Sequence, residues 1–140
     1  MILYLYMGRK STPLKELSIS QLKEKADKVF SDFIRQRDEG KCITCGKTDD
    51  WKYLQAGHYI PRDCIELRYD ERNVNCQCYG CNVCKKGNYP IYSLKMIEKN
   101  GSNVLYELEE IVKKYKADGL RKYPKDFYIE IIERFRENKE

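Results

Sequence analysis

The chain has 140 residues, enough for one domain with a modest core, and 35% of them are charged. A formal charge of +5 suits a nucleic-acid partner but is too small to identify one. The chain has no run of about 18 apolar residues, which excludes a membrane-spanning helix, and residues 1–7 lack the features of a signal peptide. We therefore expect a cytoplasmic protein whose seven cysteines are metal ligands or free thiols, not disulfides.

The predicted elements begin with a flexible basic lead-in over residues 1–17, followed by a single domain over residues 18–140. A helix is predicted over residues 18–38, because apolar residues recur there at helical spacing, Ser18 or Ser20 can cap its start and Gly40 can end it. Its apolar positions are Leu22, Ala26, Val29, Phe30, Phe33 and Ile34.

Residues 41–88 form the predicted core, with extended segments over 51–60 and 73–77 and a short helix from Cys81 to about Gly87. Three helical patterns occupy residues 90–138. Their apolar positions are Leu94 and Ile97, then Val104, Leu105, Leu108, Ile111, Val112 and Tyr115, then Phe127, Tyr128, Ile131, Ile132 and Phe135. A helix, a β-rich core and further helices together indicate an α+β domain.

Two Cys-x-x-Cys pairs predict a structural zinc site. Zinc takes four thiolates in a tetrahedron at about 2.3 Å, and each pair supplies two sulfurs from one tight turn. The first candidate ligand set is Cys42, Cys45, Cys78 and Cys81. A second set remains open, because another pair overlaps the last cysteine of the first set: it is Cys42, Cys45, Cys81 and Cys84. Cys76 also lies close by, and Cys64 is expected to be a bystander.

The only histidine in the sequence, His58, lies between the two cysteine pairs and is a candidate general base. Phosphodiester hydrolysis needs a base to deprotonate water and a cation to stabilise charge on the phosphate. Neutral imidazole suits the first task near pH 7, provided that an acceptor holds its other nitrogen. The alternatives are a zinc ligand or a packed ring, and the distance of His58 from both cysteine pairs along the chain favours the base.

The order of these motifs resembles the HNH (ββα-metal) endonucleases of the treble-clef type and, within them, the NinG/Rap family of recombination proteins of lambda-like phages. The resemblance covers residues 9–115 and is carried by Cys42-Ile-Thr-Cys-Gly46, Ala56-Gly-His-Tyr59, Leu67-Arg-Tyr-Asp-Glu-Arg-Asn73 and Cys78-Tyr-Gly-Cys-Asn82. It implies a zinc-stapled HNH core and a metal-dependent DNA endonuclease. Its expected substrates are branched recombination intermediates, as for Holliday-junction resolvases.

The resemblance also implies roles for single residues. His58 becomes the general base, Asn82 the protein ligand of a catalytic Mg²⁺ or Mn²⁺, and Asn73 the asparagine that supports the loop of the site. Many HNH enzymes place a metal-binding Asp or His just before the base, where this chain has Gly57. A second oxygen ligand is therefore sought among nearby acids: Asp63, Glu66, Asp70 and Glu71.

Basic residues around the site are expected to neutralise DNA phosphates. They are Arg62, Arg68, Arg72, Lys85 and Lys86. Junction resolution needs two cuts, so a homodimer through the C-terminal helices would suit it. The main alternative is a zinc-stabilised DNA-binding recombination accessory without chemistry of its own, and a third possibility is a redox or metal sensor.

Overall fold

A computed structural model describes residues 11–119 and 121–136, so most of the predicted lead-in, residues 1–10, lies outside the described residues. The elements in chain order are α1 (Ile19–Arg37), β1 (Gln55–His58), α2 (Ile65–Arg68), β2 (Val74–Gln77), α3 (Tyr89–Asn100), α4 (Val104–Ala117) and α5 (Lys125–Arg136). The architecture is mixed α+β, as predicted. In the part of the chain that the structure describes, no helix is long and apolar enough to cross a membrane.

Helix α1 begins with a reciprocal cap, in which Ser18 Oγ accepts from the Gln21 amide at 3.1 Å and Gln21 Oε1 accepts from the Ser18 amide at 2.9 Å. Its apolar face packs against α5, where the rings of Phe30 and Phe135 lie 4.8 Å apart. Leu14 and Leu17 pack on the same cluster. This end of the predicted lead-in is therefore part of the packed domain.

Strands β1 and β2 form a two-stranded antiparallel sheet in which Gly57 pairs with Asn75 and His58 with Val74. Both lie inside the predicted extended segments, and a single 3₁₀ turn, Trp51–Tyr53, precedes β1. Every residue of β2 is buried. The sheet is therefore covered on both faces, by α1 on one side and by α3 on the other.

A second apolar cluster joins α2, α3 and α4. The predicted face of α4 is confirmed, whereas that of α3 is wrong in part. Helix α3 buries Tyr92 and Met96, while Leu94 is 59% exposed. The physical reason is that the Tyr92 hydroxyl donates to the Gly57 carbonyl at 2.6 Å, so this tyrosine is a core residue that hydropathy alone undervalues.

The short helix predicted from Cys81 to Gly87 is only a single π-helical turn, Gly80–Cys84. It ends early because the Gly87 amide turns back to donate to the Cys81 carbonyl at 2.9 Å. The three residues Lys86, Gly87 and Asn88 then adopt left-handed backbone, with φ of 50°, 92° and 50°. The chain resumes a helix at Tyr89.

Candidate metal and catalytic site

Two turns bring together the cysteines of the first candidate set, Cys42, Cys45, Cys78 and Cys81. Their sulfur atoms all lie within 4.8 Å of one another, and the Sγ atoms of Cys45 and Cys78 are 3.7 Å apart. Sulfurs at the corners of a zinc tetrahedron with bonds of about 2.3 Å lie roughly 3.8 Å from one another. The cluster could therefore hold a metal such as zinc.

The remaining cysteines lie outside this cluster. Cys84 is exposed at the end of the π-helical turn, so the geometry does not bring the second candidate set together. Cys64 is buried in the cluster of α2, α3 and α4. Cys76 is buried on β2 beside the four sulfurs, and its amide donates to Asp38 at 2.8 Å.

The ionisation of the clustered thiols indicates what the site can bind. Burial acts to raise the pKa of Cys42, but hydrogen bonds from Thr44 and from backbone amides lower it to about 6. Despite a backbone hydrogen bond from Lys47, partial burial and the neighbouring sulfurs raise the pKa of Cys45 to about 12. The thiols therefore suppress one another's ionisation, and a divalent cation among them would allow all four to become thiolates.

His58 ends β1 and lines a cleft of ≈ 590 Å³, together with Asn82 and residues of α1. Its Nε2 atom lies 3.0 Å from the carbonyl oxygen of Arg68. A carbonyl oxygen only accepts hydrogen bonds, so Nε2 carries the proton and Nδ1 keeps a free lone pair. The Arg68 carbonyl is thus the acceptor that a histidine base requires.

The protonation of His58 follows from its surroundings. Burial lowers the pKa of its imidazole to about 4, and the charges of Arg62 and Arg68 act in the same direction. The hydrogen bond to the Arg68 carbonyl and the charge of Asp27 oppose this shift without cancelling it. The imidazole is therefore neutral at pH 7.

Because His58 is the only histidine, its NMR titration needs no assignment among competing rings. We expect the Nε2–H tautomer at pH 7 and a titration midpoint near pH 4. In the unfolded chain the ordinary value of 6.5 applies, so between pH 6.5 and 4 the unfolded state binds more protons. The contribution of neutral His58 to the free energy of unfolding is therefore complete above pH 6.5 and is lost as the pH falls to 4. His58→Gln, which does not titrate, should remove this pH dependence. A folded midpoint near 6.5 would contradict this assignment.

Arg68 is buried and bound to α1 through Asp27, a residue that sequence reasoning missed. Its Nε donates to Asp27 Oδ1 at 2.8 Å and its Nη2 to Oδ2 at 2.5 Å, and the Tyr69 hydroxyl donates to Oδ1 at 2.8 Å. Burial acts to raise the pKa of Asp27, but these bonds lower it. Asp27 therefore fixes the residue whose carbonyl holds His58.

Asn73 is buried just before β2 and has all the bonds of a loop support. Its Oδ1 accepts from the Ile60 amide at 2.7 Å, and its Nδ2 donates to the carbonyls of Ile60 and Leu67 at 3.0 Å each. These bonds join the chain just after His58 to the end of α2. Asn73 therefore links these two segments, and its role in a catalytic site stays a prediction.

Asn82 lies on the π-helical turn and lines the same cleft as His58. Its Nδ2 donates to Gln55 Oε1 at 2.7 Å. This bond fixes the amide through its nitrogen, so that the Oδ1 oxygen is left available to a hard cation. The sequence-predicted pair of base and metal ligand therefore shares one cleft.

A steric constraint favours glycine at position 57. A Cβ atom at this position would lie 1.9 Å from Gln77 Oε1. The Gln77 side chain is buried and held by donation to the Gly87 carbonyl at 3.0 Å and to Thr44 Oγ1 at 3.4 Å. No acidic side chain fits before His58 in this packing, which gives a physical reason for the glycine at position 57.

The acids considered as second cation ligands do not line the cleft with His58 and Asn82. Three of them bind other side chains: Asp70 binds Arg72, Glu66 binds Arg121 and Tyr123, and Glu71 binds Arg134. Asp63 is exposed on the loop before α2. Of the described acidic residues, Asp27 lines the cleft, and Arg68 and Tyr69 already occupy its oxygens.

The predicted phosphate-binding residues differ in how free they are. Arg62 is 61% exposed at the cleft, where its guanidinium lies 4.0 Å from Asp27, and Lys85 and Lys86 are exposed after the turn that carries Asn82. The guanidinium of Arg72 binds Asp70 at 2.8 Å and Glu107 at 3.3 Å, and that of Arg68 is buried against Asp27. Lys28 on α1, 76% exposed and paired with Asp32 at 3.1 Å, also lines the cleft and was not predicted.

These features define a small α+β protein with a four-cysteine cluster, able to hold a metal, beside a polar cleft that contains its one histidine. The family profile described as "Bacteriophage Lambda NinG protein" matches residues 8–138. The chain therefore belongs to the NinG family, which confirms that part of the resemblance.

The relatives share about a third of the aligned residues. The chain is 36% identical to "Protein ninG" of Salmonella phage P22 over 95 residues, which are 66% of this chain and 46% of that protein. It is 35% identical to "Protein ninG" of Escherichia phage lambda over 88 residues, 61% of this chain and 43% of that protein. The matches thus span less than half the length of these curated relatives. No solved structure matches the chain.

Proposed function

We propose that the chain is a metal-dependent DNA endonuclease of the HNH type that cuts branched recombination intermediates. The observation that carries this proposal is the cleft shared by His58 and Asn82, in which the Arg68 carbonyl holds Nε2 and leaves Nδ1 free. The chain order supports it, because two paired strands precede a helical turn as in a ββα motif, with the short helix α2 in the connection between β1 and β2. The cysteine cluster supports it too, since one pair lies in a turn closed by Lys41 and Thr48 and the other at the helical turn.

In this mechanism His58 acts as the general base. The neutral imidazole accepts a proton from water at Nδ1, and the Nε2–H bond to the Arg68 carbonyl strengthens as the ring becomes cationic. Asp27 supplies a negative charge that favours this cationic form. Asn73 holds the segment after His58 against the end of α2 and so keeps His58 and the Arg68 carbonyl in their relative positions.

The residues of the cleft fit a hard cation through amide oxygens, with Asn82 as the protein ligand and Gln55 fixing its amide. Bound Mg²⁺ or Mn²⁺ would stabilise charge on the phosphate and the leaving oxygen. Arg62, Lys28, Lys85 and Lys86 are exposed and would neutralise neighbouring phosphates. Two cuts in a junction suit a homodimer through the C-terminal helices, which expose Leu94 and Tyr106.

A non-catalytic, zinc-stabilised DNA-binding accessory is the second candidate, and one observation favours it. The pKa of His58 near 4 makes its imidazole a weaker base than an ordinary histidine. The cysteine cluster and the exposed basic residues serve binding equally well.

Cleavage of a four-way junction, a fork and a duplex of matched sequence tests the choice. We expect the junction to be cut in Mg²⁺ or Mn²⁺ and not in EDTA, with binding to DNA preserved in EDTA. Binding of all three substrates without cleavage in either metal would replace the nuclease by the accessory.

A further inference from the structure

The segment from Tyr79 to Tyr89, here called the 79–89 loop, has a backbone that is unusual and firmly held. Lys86 and Asn88 adopt left-handed φ, which side chains rarely tolerate outside constrained sites. Gln77 donates to the Gly87 carbonyl at 3.0 Å from inside the core, and the Gly87 amide donates to Cys81. The loop is therefore anchored to the sheet and to the cysteine cluster, and the backbone positions of its exposed side chains are fixed.

Tyr89 at the end of this loop presents an aromatic ring to the cleft of His58 and Asn82, and the residue is 42% exposed. The ring packs against the Tyr59 ring at a centroid distance of 5.6 Å and an angle of 76°. Its other neighbour is Gly87, where a Cβ would approach the ring to 3.2 Å. An aromatic side chain held in this way and still half open offers a surface with little rotamer freedom left to lose on binding.

The charged residues near Tyr89 in the chain and in the cleft indicate which class of ligand its ring would bind. Lys85 and Lys86, three and four positions before Tyr89 on the same loop, are exposed, and Arg62 lines the same cleft as Tyr89. An aromatic ring among cations is the combination that binds single-stranded nucleic acid, because bases stack on the ring while the cations track the phosphates. In a continuous duplex the base faces are already stacked, so only unpaired or splayed bases can use such a ring.

We propose that Tyr89 stacks on an unpaired base beside the bond to be cut and so selects DNA with a branch point or a gap. This inference rests on the proposed function for its DNA substrate, and it adds the residue that distinguishes branched from continuous DNA. Lys85 and Lys86 bind the phosphates that flank the unstacked base.

The test is binding, measured in EDTA so that no cleavage occurs, to a fork with 2-aminopurine at the unpaired position next to the branch. Alanine substitution at stacking positions weakens binding by roughly 10- to 100-fold, and we expect a loss of this size for Tyr89→Ala on the fork. Tyr89→Phe should keep binding and the quenching of 2-aminopurine, and Tyr89→Ala should keep binding to a matched duplex. Tyr53→Ala in the turn before β1, which removes a tyrosine 75% exposed outside the cleft, is the matched control.

Equal loss on fork and duplex, or unchanged fork binding by a folded Tyr89→Ala, would overturn the proposal, as would failure of the wild type to bind the fork. Thermal unfolding of each variant shows whether it is folded, and Tyr89→Phe supplies a second test if alanine destabilises the loop. Fork-selective binding that depends on Tyr89, without cleavage in Mg²⁺ or Mn²⁺, would uphold this inference while the nuclease proposal fails.

Discussion

Cys45→Ser is expected to abolish zinc binding and cooperative thermal unfolding. Structural zinc in small metal-stabilised domains contributes about 10–16 kcal/mol of apparent binding free energy near pH 7, whereas whole domains are stable by only about 5–15 kcal/mol. The four sulfurs join the turn before β1 to the turn after β2, and the buried cluster at this place consists of cysteines and a single leucine, Leu54. Circular dichroism during heating and the zinc content per chain measure both effects.

Two other cysteines provide the controls. Cys84→Ser changes an exposed thiol outside the cluster and should keep one zinc per chain and the wild-type melting temperature. Cys64 is buried in the cluster of α2, α3 and α4, away from the four sulfurs, so Cys64→Ser should also keep one zinc per chain. Cys45 belongs to both candidate sets, so Cys78→Ser makes the choice between them: loss of zinc in Cys84→Ser with retention in Cys78→Ser would show that the wrong set had been assigned. Release of zinc from the wild type by mild oxidant would favour the sensor.

His58→Ala is expected to lower single-turnover junction cleavage by roughly 10²–10⁴-fold, the range of general-base catalysis. DNA binding should stay within about twofold, because positive charges and not the neutral imidazole hold phosphates. The measurement pairs single-turnover rates in Mg²⁺ or Mn²⁺ with dissociation constants in EDTA. Asp63→Asn, an exposed change outside the cleft, is the control for both.

The removal of a buried ring has a structural cost that must be separated from catalysis. His58→Ala leaves the Arg68 carbonyl without its donor, so its melting temperature and zinc content are compared with those of His58→Gln. A folded, zinc-containing His58→Ala that cuts junctions at the wild-type rate would refute the base role of this histidine.

Local patterns predicted the parts of the fold that depend on local periodicity. The cap at Ser18 was predicted from its residue type just before the first helical turn. The apolar faces of α1, α4 and α5 were predicted from helical spacing, because each face packs on one continuous cluster. The spacing of the cysteine pairs limited the metal site to two sets. Only the outward position of Cys84, set by the early end of the π-helical turn, decided between them.

The rest depended on contacts between distant residues. Asp27 lies 41 positions before Arg68, and no periodicity shows that this acid on α1 binds the residue whose carbonyl faces His58. Tyr92 is another case, since its burial depends on the Gly57 carbonyl, 35 positions away. Asn82 came from the family resemblance alone, because an asparagine beside a cysteine is otherwise read as a helix cap.

The packing of Gln77 against Gly57 restricts how this cleft could change in evolution or by design. The two residues lie on neighbouring strands, on a diagonal of the antiparallel register in which Gly57 faces Asn75. A carboxylate introduced at position 57 alone would collide with a buried amide that also holds the 79–89 loop. Substitutions at positions 57 and 77 should therefore appear together, the smaller side chain on β2 opening space for the larger one on β1. An acidic residue at position 57 thus requires a change on β2, the strand that does not carry the histidine.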